Sequence, residues 1–202
     1  MKKFAFAVLT FLMAGTSAYA SPVLHSFNAE NGGNAQLNYS GFADFNVTKG
    51  SVDLIGNGSF DNYPGNGLYV DMAGTTGQYG ALTTKTIFGP GSYKIDLSLG
   101  GSIYNGIADG IELTAGGASL FSATLNGLTT ADYSFIVNLA SAQAFTITDL
   151  GLSGNPNIGA TLFGFSVSSV RGNTPVPEPL TLSLFGAGLA GAAALRRRKA
   201  KA

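Results

Sequence analysis

Cysteine and tryptophan are absent from this chain of 202 residues, histidine occurs once, and only 11% of the residues are charged. Without cysteine there is no disulfide, no thiol nucleophile and no thiolate zinc site, so the fold must rest on its packed core alone. A body of about 150 residues can supply that core, because a domain of that size buries ~70% of its unfolded surface. The single His25 leaves a Ser-His-Asp triad one candidate base, and no Gly-x-Ser-x-Gly turn accompanies it. Basic residues are scarce between the two ends. Residues 21–175 hold Lys49, Lys85, Lys94 and Arg171 against ten acidic residues, a net of −6. An acidic body with no basic patch argues against nucleic acid as a partner. No long period of 3.6 precedes the last 28 residues, which argues against alternating strands and helices.

Glycine is what the body has in abundance, 25 of them between 21 and 175, often as Asn-Gly, Gly-Asn or Gly-Gly pairs. Such pairs supply the positive φ that tight turns require. Between them run short segments with a period of two. Tyr93, Ile95, Leu97 and Leu99 alternate with polar neighbours over Ser92–Leu99, as do Tyr133, Phe135, Val137 and Leu139, and Phe163, Phe165 and Val167. Further strands are expected over Val23–Asn28, Val52–Ile55, Leu68–Met72, Ala81–Ile87, Ile111–Thr114, Ala118–Thr124 and Phe145–Leu150. About ten short strands at this spacing predict an all-β body, a two-sheet antiparallel sandwich of jelly-roll type.

The two ends carry the charge that the body lacks. Lys2-Lys3, the apolar Phe4–Ala14 and the small-x-small step Ala18-Tyr19-Ala20 form a secretory leader over 1–20, with cleavage expected between Ala20 and Ser21. At the other end Pro175-Val176-Pro177-Glu178-Pro179 precedes an apolar run, Leu180–Leu195, and then Arg196-Arg197-Arg198-Lys199. As a helix the run is ~24 Å long, slightly short of a bilayer core of about 30 Å, and flanking arginine stems extend its reach. A cationic cluster resists transfer, so the cluster acts as a stop on the inner side and the body lies beyond.

These three ordered elements over 175–199 resemble the PEP-CTERM sorting domain of exported bacterial proteins. The resemblance implies Val176, Pro177, Glu178 and Pro179 as the sorting motif, read by an exosortase-type enzyme in the membrane, and removal of helix 180–195 and cluster 196–199. It also implies the secretion machinery as a partner, a transient membrane anchor, and a destination at the cell surface or in extracellular polysaccharide. Prolines on both sides keep Glu178 out of the helix and extended. The run Asn66–Asp71 followed by Gly89–Ile95 resembles the glycine-rich β-domains of such proteins and the sandwiches of carbohydrate-binding modules. Phe163-Gly164-Phe165-Ser166 stands where many relatives carry an Asp-Asn pair.

For the body (21–174) the expectation is a structural, polysaccharide-associated role, with a carbohydrate-binding module as the alternative and a glycan-active enzyme third. Tyr63, Tyr69, Tyr79 and Tyr104 are the candidate rings for stacking on sugar. The carboxylate pairs Asp109 with Glu112, and Asp53 with Asp61, are the glycosidase candidates. Asp53, Asn57 and Asp61 place oxygen donors in a glycine-rich loop, the kind of set calcium prefers, though not with EF-hand spacing.

Overall fold

The computed structural model describes residues 23–102 and 106–170. The leader over 1–20, Tyr104 and the whole of 175–199 lie outside them, and no helix among the described residues is long and apolar enough to cross a membrane.

The first half of the body contains β1 (Val23–Ser26), β2 (Phe45–Lys49), β3 (Asp53–Gly56), β4 (Leu68–Asp71), β5 (Ala73–Gly74), β6 (Gln78–Tyr79) and β7 (Ala81–Thr84). The second half contains β8 (Gly91–Gly100), β9 (Ala108–Ala115), β10 (Ala118–Asn126), β11 (Thr130–Leu139), β12 (Phe145–Asp149) and β13 (Thr161–Ser169). One sheet runs β11-β8-β13-β4-β3, with β1 also paired to β13; the other runs β10-β9-β12-β7-β2. The pairings in both are antiparallel. Chain neighbours β7 and β8, and β12 and β13, lie in different sheets, so the connections pass across the sandwich.

Alternation builds the interior. Along β8, Tyr93, Ile95, Leu97 and Leu99 are buried while Lys94 is exposed. Along β11, Val137 and Leu139 are buried and Ser134, Ile136 and Asn138 are exposed. Phe165 of β13 reaches across to Phe45 of β2 and Phe145 of β12, with ring centroids 6.0 and 6.2 Å apart. Phe27, Tyr39 and Phe42 continue this cluster, with Phe42 in edge contact with both others. Each such buried side chain contributes roughly 1.5–3 kcal/mol.

The ten expected strands are present, with shifted ends. The first stops at Ser26, whose hydroxyl caps the turns of Phe27–Gly33 by accepting from Asn28 N. The strand expected to reach Ile87 stops at Thr84, whose hydroxyl turns back onto Thr86 O. β2 and the ribbon β5–β6 were not anticipated. β2 has only Phe45 and Val47 as apolar residues and pairs on one side only, with β7.

Candidate functional site

The site grows from the turn after β3. Asn57 and Gly58 sit in left-handed conformations, φ 51° and 84°, and Gly56 and Ser59 exchange backbone hydrogen bonds of 2.9 and 3.1 Å around them. This is the Asn-Gly turn the sequence advertises. Two residues on, Phe60 is also left-handed at φ 51° and is 66% exposed. A bulky L-residue held there costs roughly 1–2 kcal/mol.

Tyr69 of β4 organises the segment that follows. Its hydroxyl accepts from Asn62 N at 2.7 Å and Tyr63 N at 3.1 Å, and donates to Asp61 Oδ1 at 3.1 Å. Tyr63 lies edge-on to Tyr69 and to Phe163, and its hydroxyl donates to Gly101 O at 2.9 Å. Burial pushes the Tyr63 hydroxyl up to about 12, with Tyr69 and Asp71 adding to the shift, so it stays a neutral donor. Burial likewise raises Tyr69.

Beside this small second core opens a cleft of about 210 Å³. Leu37 and Ile55 supply its apolar wall; Asp53, Asn62, Asp71 and Thr75 supply polar groups, and Phe60 stands at the edge. Asp53 is already satisfied. Its Oδ1 accepts from Asn38 N (2.6 Å) and Thr75 N (3.2 Å), and its Oδ2 from the Thr75 hydroxyl (2.6 Å). Asp71 differs: Oδ1 accepts from Ala73 N at 2.9 Å, while Oδ2 meets no donor among the described residues. Burial raises Asp71 to about 7; the Ala73 amide opposes the shift and the Asp53 and Asp109 carboxylates add to it. Asn62 gives its amide N–H to Phe60 O, which leaves its Oδ1 free as an acceptor.

Asp109 and Asp149 use their carboxylates to fasten the segment 150–160. Asp109 Oδ1 accepts from Gly110 N and Leu152 N, and Asp149 from Gly151 N and Ala160 N. Asp149 is raised by burial and by the neighbouring Asp109 carboxylate.

The expected site residues divide accordingly. Tyr63 and Tyr69 are 6% and 0% exposed, which corrects the expectation that they present stacking faces: their rings pack inward and their hydroxyls hold a loop. Tyr79 is half-buried, with its hydroxyl 3.3 Å from Ser153 Oγ. In the calcium set Asp53, Asn57 and Asp61, the two carboxylates are already drawn into hydrogen bonds. Both carboxylate oxygens of Asp53 accept hydrogen bonds, as do those of Asp61, from Gly58 N and Tyr69 Oη, while Asn57 donates through Nδ2 to Gly33 O and keeps its Oδ1 as an acceptor. No group of three or more acidic or histidine side chains gathers as a metal site among the described residues. Of the acid pairs, Asp109 is buried and Glu112, three positions along β9, falls on the opposite face. Phe60, Asn62, Asp71 and Thr75 were not anticipated. The one local signal was the Asn57-Gly58 turn that delivers Phe60.

Residues 175–199 match the family model of the PEP-CTERM protein-sorting motif. The motif makes this an exported protein with a C-terminal sorting segment, consistent with an exosortase substrate. No curated protein matches the chain. Among solved structures it is similar to the CBM22-1 xylan-binding domain from Paenibacillus barcinonensis, at 9% identity and a TM-score of 0.49, over 78% of this chain and 99% of that one. It is also similar to the CBM36-1 domain of a multidomain xylanase from the hindgut metagenome of Trinervitermes trinervoides, at 18% identity and TM-score 0.44, covering 69% and 100%. A carbohydrate-binding module CBM36 in complex with calcium and xylotriose shares 13% identity at TM-score 0.44, covering 61% and 93%.

Proposed function

We propose that the exported body is a non-catalytic module that associates with extracellular polysaccharide at the cell surface, delivered there by its C-terminal sorting segment. The observation that carries this is the cleft beside the Asn57-Gly58 turn. It combines an exposed ring, Phe60, with hydrogen-bonding groups on Asn62, Asp71 and Thr75. A pyranose presents just such a pair of surfaces, an apolar C–H face for a ring and a hydroxyl edge for acceptors. Strain at Phe60 belongs to the same account, since backbone held in a costly conformation clusters at binding sites. Asp53, the other carboxylate of the cleft, accepts from three donors and so ties the Asn38 and Thr75 segments together, a structural role. This reading does not need calcium, since both carboxylates of the expected set already accept hydrogen bonds.

The test is retention of the full chain, held in detergent micelles, on a panel of immobilised plant and bacterial polysaccharides. Binding to at least one, weakened about three- to tenfold in Phe60→Ala, is the expected result, since a stacked ring is worth ~0.5–1.5 kcal/mol. Silence across the panel overturns the module. Release of reducing ends from the bound glycan overturns the absence of catalysis.

A further inference from the structure

Resting on that reading, we infer that the cleft selects a glycan bearing a free amino group, a hexosamine without its N-acetyl substituent, with the ammonium held by Asp71 Oδ2 and Asn62 Oδ1. Both oxygens lack a donor among the described residues, while every other strong acceptor of the cleft is in use. An ammonium brings three N–H donors and a positive charge, and these two acceptors with the Thr75 hydroxyl can receive it.

Charge points the same way. Among the described residues, no Lys, Arg or His lines the cleft. Asp53 and Asp71 belong to it, and Asp109 is close enough to disfavour ionisation of Asp71. A cation would supply the charge this end of the body lacks. A uronate or sulfated sugar would meet only repulsion. A calcium ion would need six to eight oxygens, and two free acceptors and a hydroxyl fall short of that. An amine carried on a sugar ring also uses Phe60, whose face attracts both the C–H surface and a nearby cation.

The experiment titrates the full chain in detergent micelles, at pH 7 and physiological salt, with four probes: a tetramer of glucosamine, the same tetramer fully N-acetylated, cellotetraose and tetralysine. The glucosamine tetramer should bind about tenfold or more tighter than either other sugar, the margin a charge-assisted hydrogen bond supplies. Asp71→Asn should bring the three sugars to within about threefold of one another, with the thermal transition retained. Phe60→Ala should weaken all three sugars together and leave their ratio standing, and it serves if Asp71→Asn does not fold. Equal or tighter binding of the N-acetylated tetramer or cellotetraose overturns the amino-sugar selection and leaves the polysaccharide module intact. Tetralysine binding as well as the glucosamine tetramer overturns it too, by showing charge without a sugar site. If none of the sugars binds, the module and its selectivity both fall.

Discussion

A phenylalanine kept at φ 51° opposes folding through its backbone, and with 66% of its surface in water its ring returns little of that cost through burial. Asparagine tolerates the left-handed region far better, because its short polar side chain can bond locally. Phe60→Asn should therefore raise stability by about 1 kcal/mol in chemical denaturation while weakening glycan retention as Phe60→Ala does. A loss of stability instead would mean the ring packs on something that its exposure does not reveal. Asp71 carries a second trade of this kind. Its folded pKa is raised from 3.8 to about 7, so the folded state keeps a proton that the unfolded chain releases between those values. Its contribution is then largest below pH 4 and is lost as the pH climbs towards 7, by up to ~1.4 kcal/mol per pH unit. Asp71→Asn removes the charge. The variant should match the parent near pH 4 and exceed it by about 1–2 kcal/mol at pH 8, with screening at a partly exposed group keeping the gain below the full shift. Urea midpoints of the two proteins across that range would show it, and parallel curves would dismiss it.

Among the elements, β4 joins the core to the site, since Val70 is buried in the main cluster and Tyr69, its neighbour, in the smaller one. The Tyr69 hydroxyl is the single group bonded to Asp61, Asn62 and Tyr63 together. Tyr69→Phe leaves a buried ring but strands two backbone donors, so a loss of about 1–3 kcal/mol is expected in thermal unfolding. Glycan affinity should fall with it although no cleft-lining residue has changed. Unaltered affinity would detach the loop from the site. This element also explains what was legible in the sequence. A period of two exposes the buried faces of β8, β11 and β13, because the alternation is local and each strand repeats it over several residues. β2 shows only two apolar positions, too few to count as a period. Tyrosine in a glycine-rich segment gives no local sign of whether its ring faces sugar or core. That depended on Phe163, about a hundred residues away, closing over Tyr63 and Tyr69. The Asn57-Gly58 turn could be read; Asp71 as a cleft residue could not, since its meaning comes from which acceptors other strands leave unfilled.

Across the whole molecule, charge is sorted by destination. The chain is neutral overall, yet seven of its 11 basic residues lie in 1–20 and 175–202, the second of which holds the matched sorting motif. Removing both leaves an acidic body, suited to accept a cationic partner outside the cell and to avoid anionic surfaces. The compact unit of the body ends at Val170, ahead of the Pro177–Pro179 motif, so processing at the motif would leave every described strand whole. Mass spectrometry of the mature protein should accordingly find an N-terminus at Ser21 and no residues beyond the Pro177–Pro179 motif. Deleting 175–202 should release a folded, soluble, exported body, and a truncated protein still found in the membrane fraction would overturn the sorting account. Neutralising Arg196, Arg197 and Arg198 tests the cationic stop separately. A tail without that charge should slip across the membrane and escape processing, so the variant should leave the cell with its C-terminus uncut. Normal retention and cleavage of this variant would show that the proline-bracketed glutamate and the apolar run are sufficient, and that the arginines serve some step other than holding the tail in place.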